Sequence, residues 1–258
     1  MKPGFGTVFD LASSLPEDSV NRLSDVDNLH IEKDSLHERA YLTLRRALIL
    51  GRFRPGQRLL LKPLAEELGI SVTPVREALQ RLASEHGLVN DRSRTMIVPI
   101  LSVARFREIR DIRIELEGRA VEAATKLITP GDIDKLEEIQ QSLLQRRQAG
   151  DVQGALANNQ AFHFRLYQRA DLPVLLSLIE GLWVRIGPLL TCLYEYSEPV
   201  ASREHPHVAI LAALGSKDAA AARLAIANDI MWASGSLEKA VIALNEQASD
   251  DSLRAGRG

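Results

Sequence analysis

The stretch PGQRLLLKPLAEELGISVTPVREALQRL, residues 55–82, decides how this chain reads. Within Arg54-Pro55-Gly56-Gln57, Pro sets φ and Gly supplies φ > 0, so a tight turn is specified. Leu59–Leu61 is long enough only for a small strand. A short helix over Lys62–Leu68 meets Gly69, which suits a left-handed cap. Ser71 or Thr73 caps the next helix, with Pro74 in the first turn, where a missing N–H costs nothing. That helix reaches about Glu85. It puts Thr73, Arg76 and Gln80 on one polar side and Val75, Leu79 and Leu82 on the core side. Upstream, Leu36, Ala40, Leu44, Ala47 and Leu48 recur at helical spacing, so a helix spans about Ser35–Leu50 and stops at Gly51. Downstream, Leu88–Asn90 and Met96–Ile100 pair as strands around Asp91–Thr95. Helix, helix, sharp turn, helix and hairpin make the outline of a winged helix-turn-helix.

The bulk properties agree. The chain has 258 residues, 45% hydrophobic and 26% charged, which suits one large cored domain or two ordinary ones. No run of about 18 apolar residues lacks charge, so no membrane-spanning helix is expected. The opening MKPGFGTVFDLASS has neither the apolar region nor the cleavage site of an export signal. Cys192 is the single cysteine, which excludes an internal disulfide. A cytoplasmic protein is expected. Net charge is −2, but residues 31–100 carry twelve Lys/Arg against eight Asp/Glu, while the segments on either side are acidic. A basic module inside an acidic chain is what a DNA reader requires.

The run from Leu36 to about Ser102 resembles the GntR family of DNA-binding regulators. The resemblance is carried by PGQRL, LAEELGIS and TPVREALQRL at fixed spacing. It implies that Lys62, Ser71, Thr73, Arg76 and Gln80 face DNA. An arginine early in such a helix reaches guanine O6/N7 or a phosphate. Arg52, Arg54 and Arg58 around the turn are expected on phosphates, and Arg92 and Arg94 of the wing on backbone or minor groove. The chain departs from the family pattern in three places. Val72 stands where an arginine is usual, the wing tip reads Arg94-Thr95 instead of Arg-Gly, and Ala83–Gly87 is one residue longer.

Beyond Pro99 the pattern is helical. Helices are expected at about 102–128, 130–149, 151–170, 173–195, 202–214 and 217–246, with start signals at Thr129-Pro130-Gly131-Asp132, Gly150-Asp151 and Leu172-Pro173. Short connections favour an antiparallel all-helical bundle. The expected organisation is therefore mostly α. A flexible arm covers residues 1–33, a winged helix-turn-helix 34–100, a helical effector-binding and dimerisation domain 101–246, and a flexible tail 247–258.

Residues from about Phe106 to Leu244 resemble the FCD type of ligand-binding domain, found in the FadR subfamily of GntR regulators. The anchors are Arg113-Ile114-Glu115-Leu116-Glu117, Asn159-Gln160-Ala161-Phe162-His163 and His207–Leu214 followed by Asp218. Many such domains hold a divalent metal through one Asp and three His. The matching positions here are Asn159, His163, His207 and Asp229, so an amide stands where the carboxylate is usual and a carboxylate where the third imidazole is usual. That set suits Zn, with Ni or Mn as alternatives. His205 is adjacent to His207 and could substitute for it, but is expected to point elsewhere on the helix, and His30, His37 and His86 lie apart. Arg113 is expected to pair with a small organic acid, with Trp183, Arg185, Tyr194 and Tyr196 beside it.

The resemblance implies a homodimeric regulator on a palindromic operator, most often a repressor released by ligand. Two other readings stay open from the residues: an architectural DNA binder without an effector, and a hydrolase whose metal activates water. The second finds no HExxH, nucleophile elbow or phosphate loop.

Overall fold

A computed structural model gives the structure of the protein; it describes residues 36–91, 93–196 and 205–255. The expected arm, Arg92 and the end of the expected tail lie outside that range. The N-terminal half opens with α1 (Leu36–Ile49), which buries Ala40, Tyr41, Leu44, Leu48 and Ile49. Gly51 ends it at φ 62°. The turn closes where Gln57 N–H donates to Arg54 O at 3.0 Å, with Gly56 at φ 80°. Strand β1 (Arg58–Leu59) leads into α2 (Leu61–Leu68), and Gly69 caps α2 at φ 64°. Helix α3 (Val72–Ser84) starts at the earlier of the two expected caps, Ser71. Strands β2 (Val89–Asn90) and β3 (Met96–Ile97) complete an antiparallel sheet of order β1-β3-β2, with Arg58 opposite Ile97 and Val89 opposite the same residue. Leu59, Val75, Leu79, Leu82, Leu88 and Val98 close the core of this half.

The second half is helical: α4 (Val103–Leu127), α5 (Pro130–Gln148), α6 (Val152–Gln168), α7 (Pro173–Leu190), α8 (Leu193–Tyr196), α9 (His207–Gly215) and α10 (Ala219–Ala255). The start signals hold. Thr129 and Asp132 form a reciprocal capping box, and the Asp151 side chain accepts from Gly154 N–H. Helix α10 runs antiparallel along α4: Arg223 pairs with Glu115, Arg107 with Glu238, and Asn245 donates to Leu101 O.

Three expected boundaries are corrected, one of them the start of α9, expected at 202 and found at His207. The helix expected over 173–195 breaks at Thr191-Cys192. Pro188 brings no N–H to the last turn, and Thr191 Oγ1 donates to Pro188 O at 2.8 Å, ending the ladder. Helix α10 continues to Ala255 instead of ending near 246, since no Pro or Gly interrupts Ser236–Ala255.

Helix α7 ties the halves together. It is 18 residues long with a mean hydropathy of 1.5, enough by length and composition to cross a membrane. Here it is a core helix, burying Ile179, Trp183, Val184, Ile186 and Leu189. Gly187 seats it on α1: a Cβ there would lie 2.7 Å from Ile49 O and closer still to Leu48 O. Gly87 meets Val184 just as tightly, at 2.5 Å for a Cβ. Arg45 of α1 pairs with Glu180 of α7 at 2.8 Å.

Candidate metal and effector site, and the DNA-reading face

His163 and Asn159 lie one turn apart on α6, so both side chains leave the same face. His207 opens α9, and Asp229 comes from α10. The three ionisable members converge, with ligand atoms all within 4.8 Å of one another. His163 Nε2 is 3.3 Å from Asp229 Oδ2 and 3.3 Å from His207 Nε2, and His207 Nε2 is 3.8 Å from Asp229 Oδ1.

The outer hydrogen bonds fix which nitrogens are bare. His207 Nδ1 sits 2.6 Å from Gln140 Oε1, an acceptor only, so Nδ1 carries the proton. His163 Nδ1 is 3.1 Å from the Tyr167 hydroxyl, whose own proton goes to Glu117 Oε2 in a short bond. The hydroxyl must therefore accept from His163 Nδ1–H. Both Nε2 lone pairs then face each other beside a carboxyl group. Burial drives His163 down to about 3, helped by Arg113 and His205, and holds His207 well below its ordinary value. Burial pushes Asp229 up to about 7; Arg113 opposes the rise and Glu117 adds to it. Neutral imidazoles with converging lone pairs, braced from behind and joined by a carboxyl, fit a divalent cation of the Zn, Ni or Mn type.

These groups adjoin a cavity of about 240 Å³ walled by Arg113, Asn159, His163, Trp183, His205 and Asp229, with apolar residues beyond. The expected set thus comes together, with three corrections. Arg113 is not waiting for a ligand with its whole guanidinium: Nε donates to Glu117 Oε1 at 2.7 Å, and its plane lies over Trp183 at 4.9 Å. Arg185 does not line the cavity. It is two residues from Trp183, about 200° around the helix, while Ile186 and Leu190 take the cavity face. His205 does line it. It precedes α9 instead of lying on it, and its ring sits 4.3 Å from His207 and 5.6 Å from Trp232. The side chains of Tyr194 and Tyr196 lie outside the described residues.

Sequence reasoning missed Glu117 as a site residue. It is fully buried and accepts from Arg113, from Tyr167 and from Trp183 Nε1 at 3.0 Å. Its signal was present as an arginine–glutamate pair four residues apart on one helix.

On the reader, Lys62, Arg76, Gln80 and Arg94 line one groove between α2, α3 and the wing. Thr73, Arg76 and Gln80 are exposed, and Val75, Leu79 and Leu82 are fully buried. Ser71 makes no capping bond with its side chain, and Arg52 is exposed. Arg58 braces the wing through Asp91 at 2.8 Å, and Arg54 pairs with Glu195 of α8, so both are engaged within the chain. Asp91 organises the wing further, accepting from Ser93 N–H and Thr95 N–H at 2.8 Å each.

Residues 36–97 match the bacterial regulatory proteins of the gntR family, and residues 108–230 match the FCD domain. The chain is 41% identical over 192 residues to the HTH-type transcriptional regulator McbR of Escherichia coli K12, covering 74% of this chain and 83% of that protein. It belongs to the GntR family. Among solved structures, E. coli McbR/YncC superposes with a TM-score of 0.74 at 38% identity, over 80% of this chain and 98% of that one. The HTH-type transcriptional repressor RspR of E. coli K12 is 28% identical over 208 residues, 79% of this chain and 90% of that protein. A Rhodococcus GntR protein at 22% identity shares the fold, with a TM-score of 0.62 over 79% of this chain and 98% of that one.

The GntR chain is therefore a transcription regulator and not an enzyme, with a DNA-binding reader and an FCD effector-binding domain. Its departures from the family pattern have visible structural counterparts. The wing turn, which lacks the usual glycine, puts Arg94 itself at φ 62°. His86, in the stretch expected to be one residue longer, also takes a positive φ of 62°. Val72 is half-buried against the reader core at the start of α3.

Proposed function

We propose that this chain is a cytoplasmic, homodimeric repressor that leaves a palindromic operator when a small carboxylate enters the FCD cavity beside a bound divalent metal. The observation that carries this reading is the double role of α7. One face, through Trp183, Ile186 and Leu190, walls the cavity. The adjoining face, through Val184 and Gly187, meets Gly87 and the backbone of α1 with no room for a side chain. A ligand that displaces α7 must displace the reader, and it acts to the extent that it binds one placement more tightly than the other.

His163, His207 and Asp229 would hold the metal, with the Asn159 amide on the cavity wall as fourth donor. The metal would supply a positive anchor for the acid. Arg113, steadied by Glu117, presents its remaining donors to the same end. On the reader, Lys62, Ser71, Thr73, Arg76 and Gln80 would meet base edges or phosphates, with Arg52, Arg54, Arg58, Arg92 and Arg94 on the backbone. The dimer would set two such readers about one helical turn of DNA apart.

The test is a mobility-shift titration on DNA upstream of the chain's own gene, at moderate salt, with Arg76→Ala as control. A specific complex is expected from the unaltered protein and none from the variant. Absence of any specific complex, or equal binding by both, would reject the reading.

A further inference from the structure

The cavity has a direction. Three helices line it lengthwise, and each ends on apolar residues away from the histidines; Arg110 of α4 and Ser234 of α10, whose hydroxyl donates to Ile230 O, lie part-way along. On α4, Arg113 stands at the polar end and Phe106 two turns off; on α10, Asp229 is followed by Ala233 and Leu237. Because α4 and α10 are antiparallel, with Arg107 bonded to Glu238, Leu237 comes beside Phe106 just as Asp229 comes beside Arg113. On α7, Trp183 lies 4.9 Å from the Arg113 guanidinium, and Ile186 and Leu190 follow along the wall. Seven residues of helix measure about 10 Å. The volume of about 240 Å³ gives room for a ligand on the order of ten heavy atoms.

We propose that the effector is a single-headed acid with an apolar body, such as a medium-chain alkanoate or arylalkanoate, held head-first at the His163–Asp229 end. This rests on the carboxylate reading above and narrows it. A second acidic or hydroxyl group at the far end of an eight-carbon body would be buried against Phe106, Leu190 and Leu237, which offer it no partner. Of the other two cations on the wall, Arg110 lies one turn short of Phe106 and gives its Nε to Asp111 at 2.7 Å, and Arg147 lies over the Trp232 ring at 5.9 Å. An alkyl or aryl body, by contrast, gains from each methylene it buries there.

The test is calorimetric titration of the full-length protein with butyrate, suberate and octanoate, each with and without Zn²⁺. Octanoate should bind on the order of 100-fold tighter than butyrate, at about fourfold per buried methylene, and suberate, whose second carboxylate would reach the Phe106–Leu237 end, no tighter than butyrate. Ala233→Leu narrows the apolar passage; with its fold checked by circular dichroism, it should weaken octanoate about tenfold. Suberate binding as tightly as octanoate, or an Ala233→Leu variant that binds octanoate unchanged, would overturn the apolar body and leave the carboxylate reading standing. Failure of all three acids to bind would overturn both.

Discussion

Replacing Glu117 with leucine removes one buried carboxyl and strands three donors. The Glu117 side chain is 0% exposed and that of Arg113 only 9%, so the guanidinium would stay buried without its bidentate partner. Breaking such a pair from one side costs about 3–5 kcal/mol. Tyr167 Oη and Trp183 Nε1 also lose their acceptor, each a further cost of about 1–3 kcal/mol if unrelieved. Arg113 borders the cavity, where water can reach it, which offsets part of this. We expect a net loss of about 4 kcal/mol, a large share of the roughly 5–15 kcal/mol that holds a domain. Urea unfolding of the metal-free protein, followed by tryptophan fluorescence, reads this directly, because Trp183 and Trp232 are the only tryptophans and both lie in the FCD half. Arg113→Met added to Glu117→Leu should restore at least about 2 kcal/mol, since the uncompensated charge is then gone. A loss below about 1 kcal/mol from Glu117→Leu alone, or no recovery in the double variant, would refute the role given to Glu117. Its reach to His163 through Tyr167 gives a second readout: metal affinity should fall about 10–100-fold.

Metal binding should release protons in a pH-dependent way. Asp229 rises to about 7, so below that pH the metal-free site holds a proton that a cation must displace, whereas His163, lowered to about 3, and His207, lowered well below its ordinary value, have none to give. Calorimetry in buffers of different ionisation heat should find about one proton released at pH 6 and close to none at pH 8.5; release that rises with pH would contradict the assignment. Gly187→Val should destabilise the protein by about 2 kcal/mol or more, measured by thermal unfolding, because its side chain has no space against Leu48 and Ile49. Lys62→Ala should weaken operator binding by about 1–3 kcal/mol if it meets a base edge, and by a uniform amount across sequences if it meets only phosphate; fluorescence anisotropy on matched and scrambled DNA separates the two.

Much of this molecule was legible in its sequence, for identifiable reasons. The reader follows from turn chemistry: Gly51, Gly56 and Gly69 each take the positive φ that their places demanded. The FCD helices follow from Thr129, Asp151 and Pro173, local signals that act within one turn. What was not legible depends on contacts across the chain. Glu117 stands in the sequence only as the end of an anchor motif, and its role comes from Tyr167 and Trp183, which bond to it from 50 and 66 residues away. His205 was assigned to a helix that begins two residues later, and so was turned away from a cavity it lines. Arg185 shares a helix with Trp183 but not its face. The break at Thr191 needed a hydroxyl to compete for Pro188 O, and the seat of Gly187 on α1 has no local signature at all.

The central claim is that an acid in the cavity governs the hold on DNA through α7. Its most direct test is operator-DNA anisotropy on the full-length, Zn²⁺-loaded protein across an octanoate titration, paired with calorimetry on the same sample. The account predicts that DNA affinity falls at least about tenfold as the cavity fills, a coupling of about 1.4 kcal/mol, and that the midpoint tracks octanoate binding. Octanoate that binds while DNA affinity stays within about twofold would contradict it.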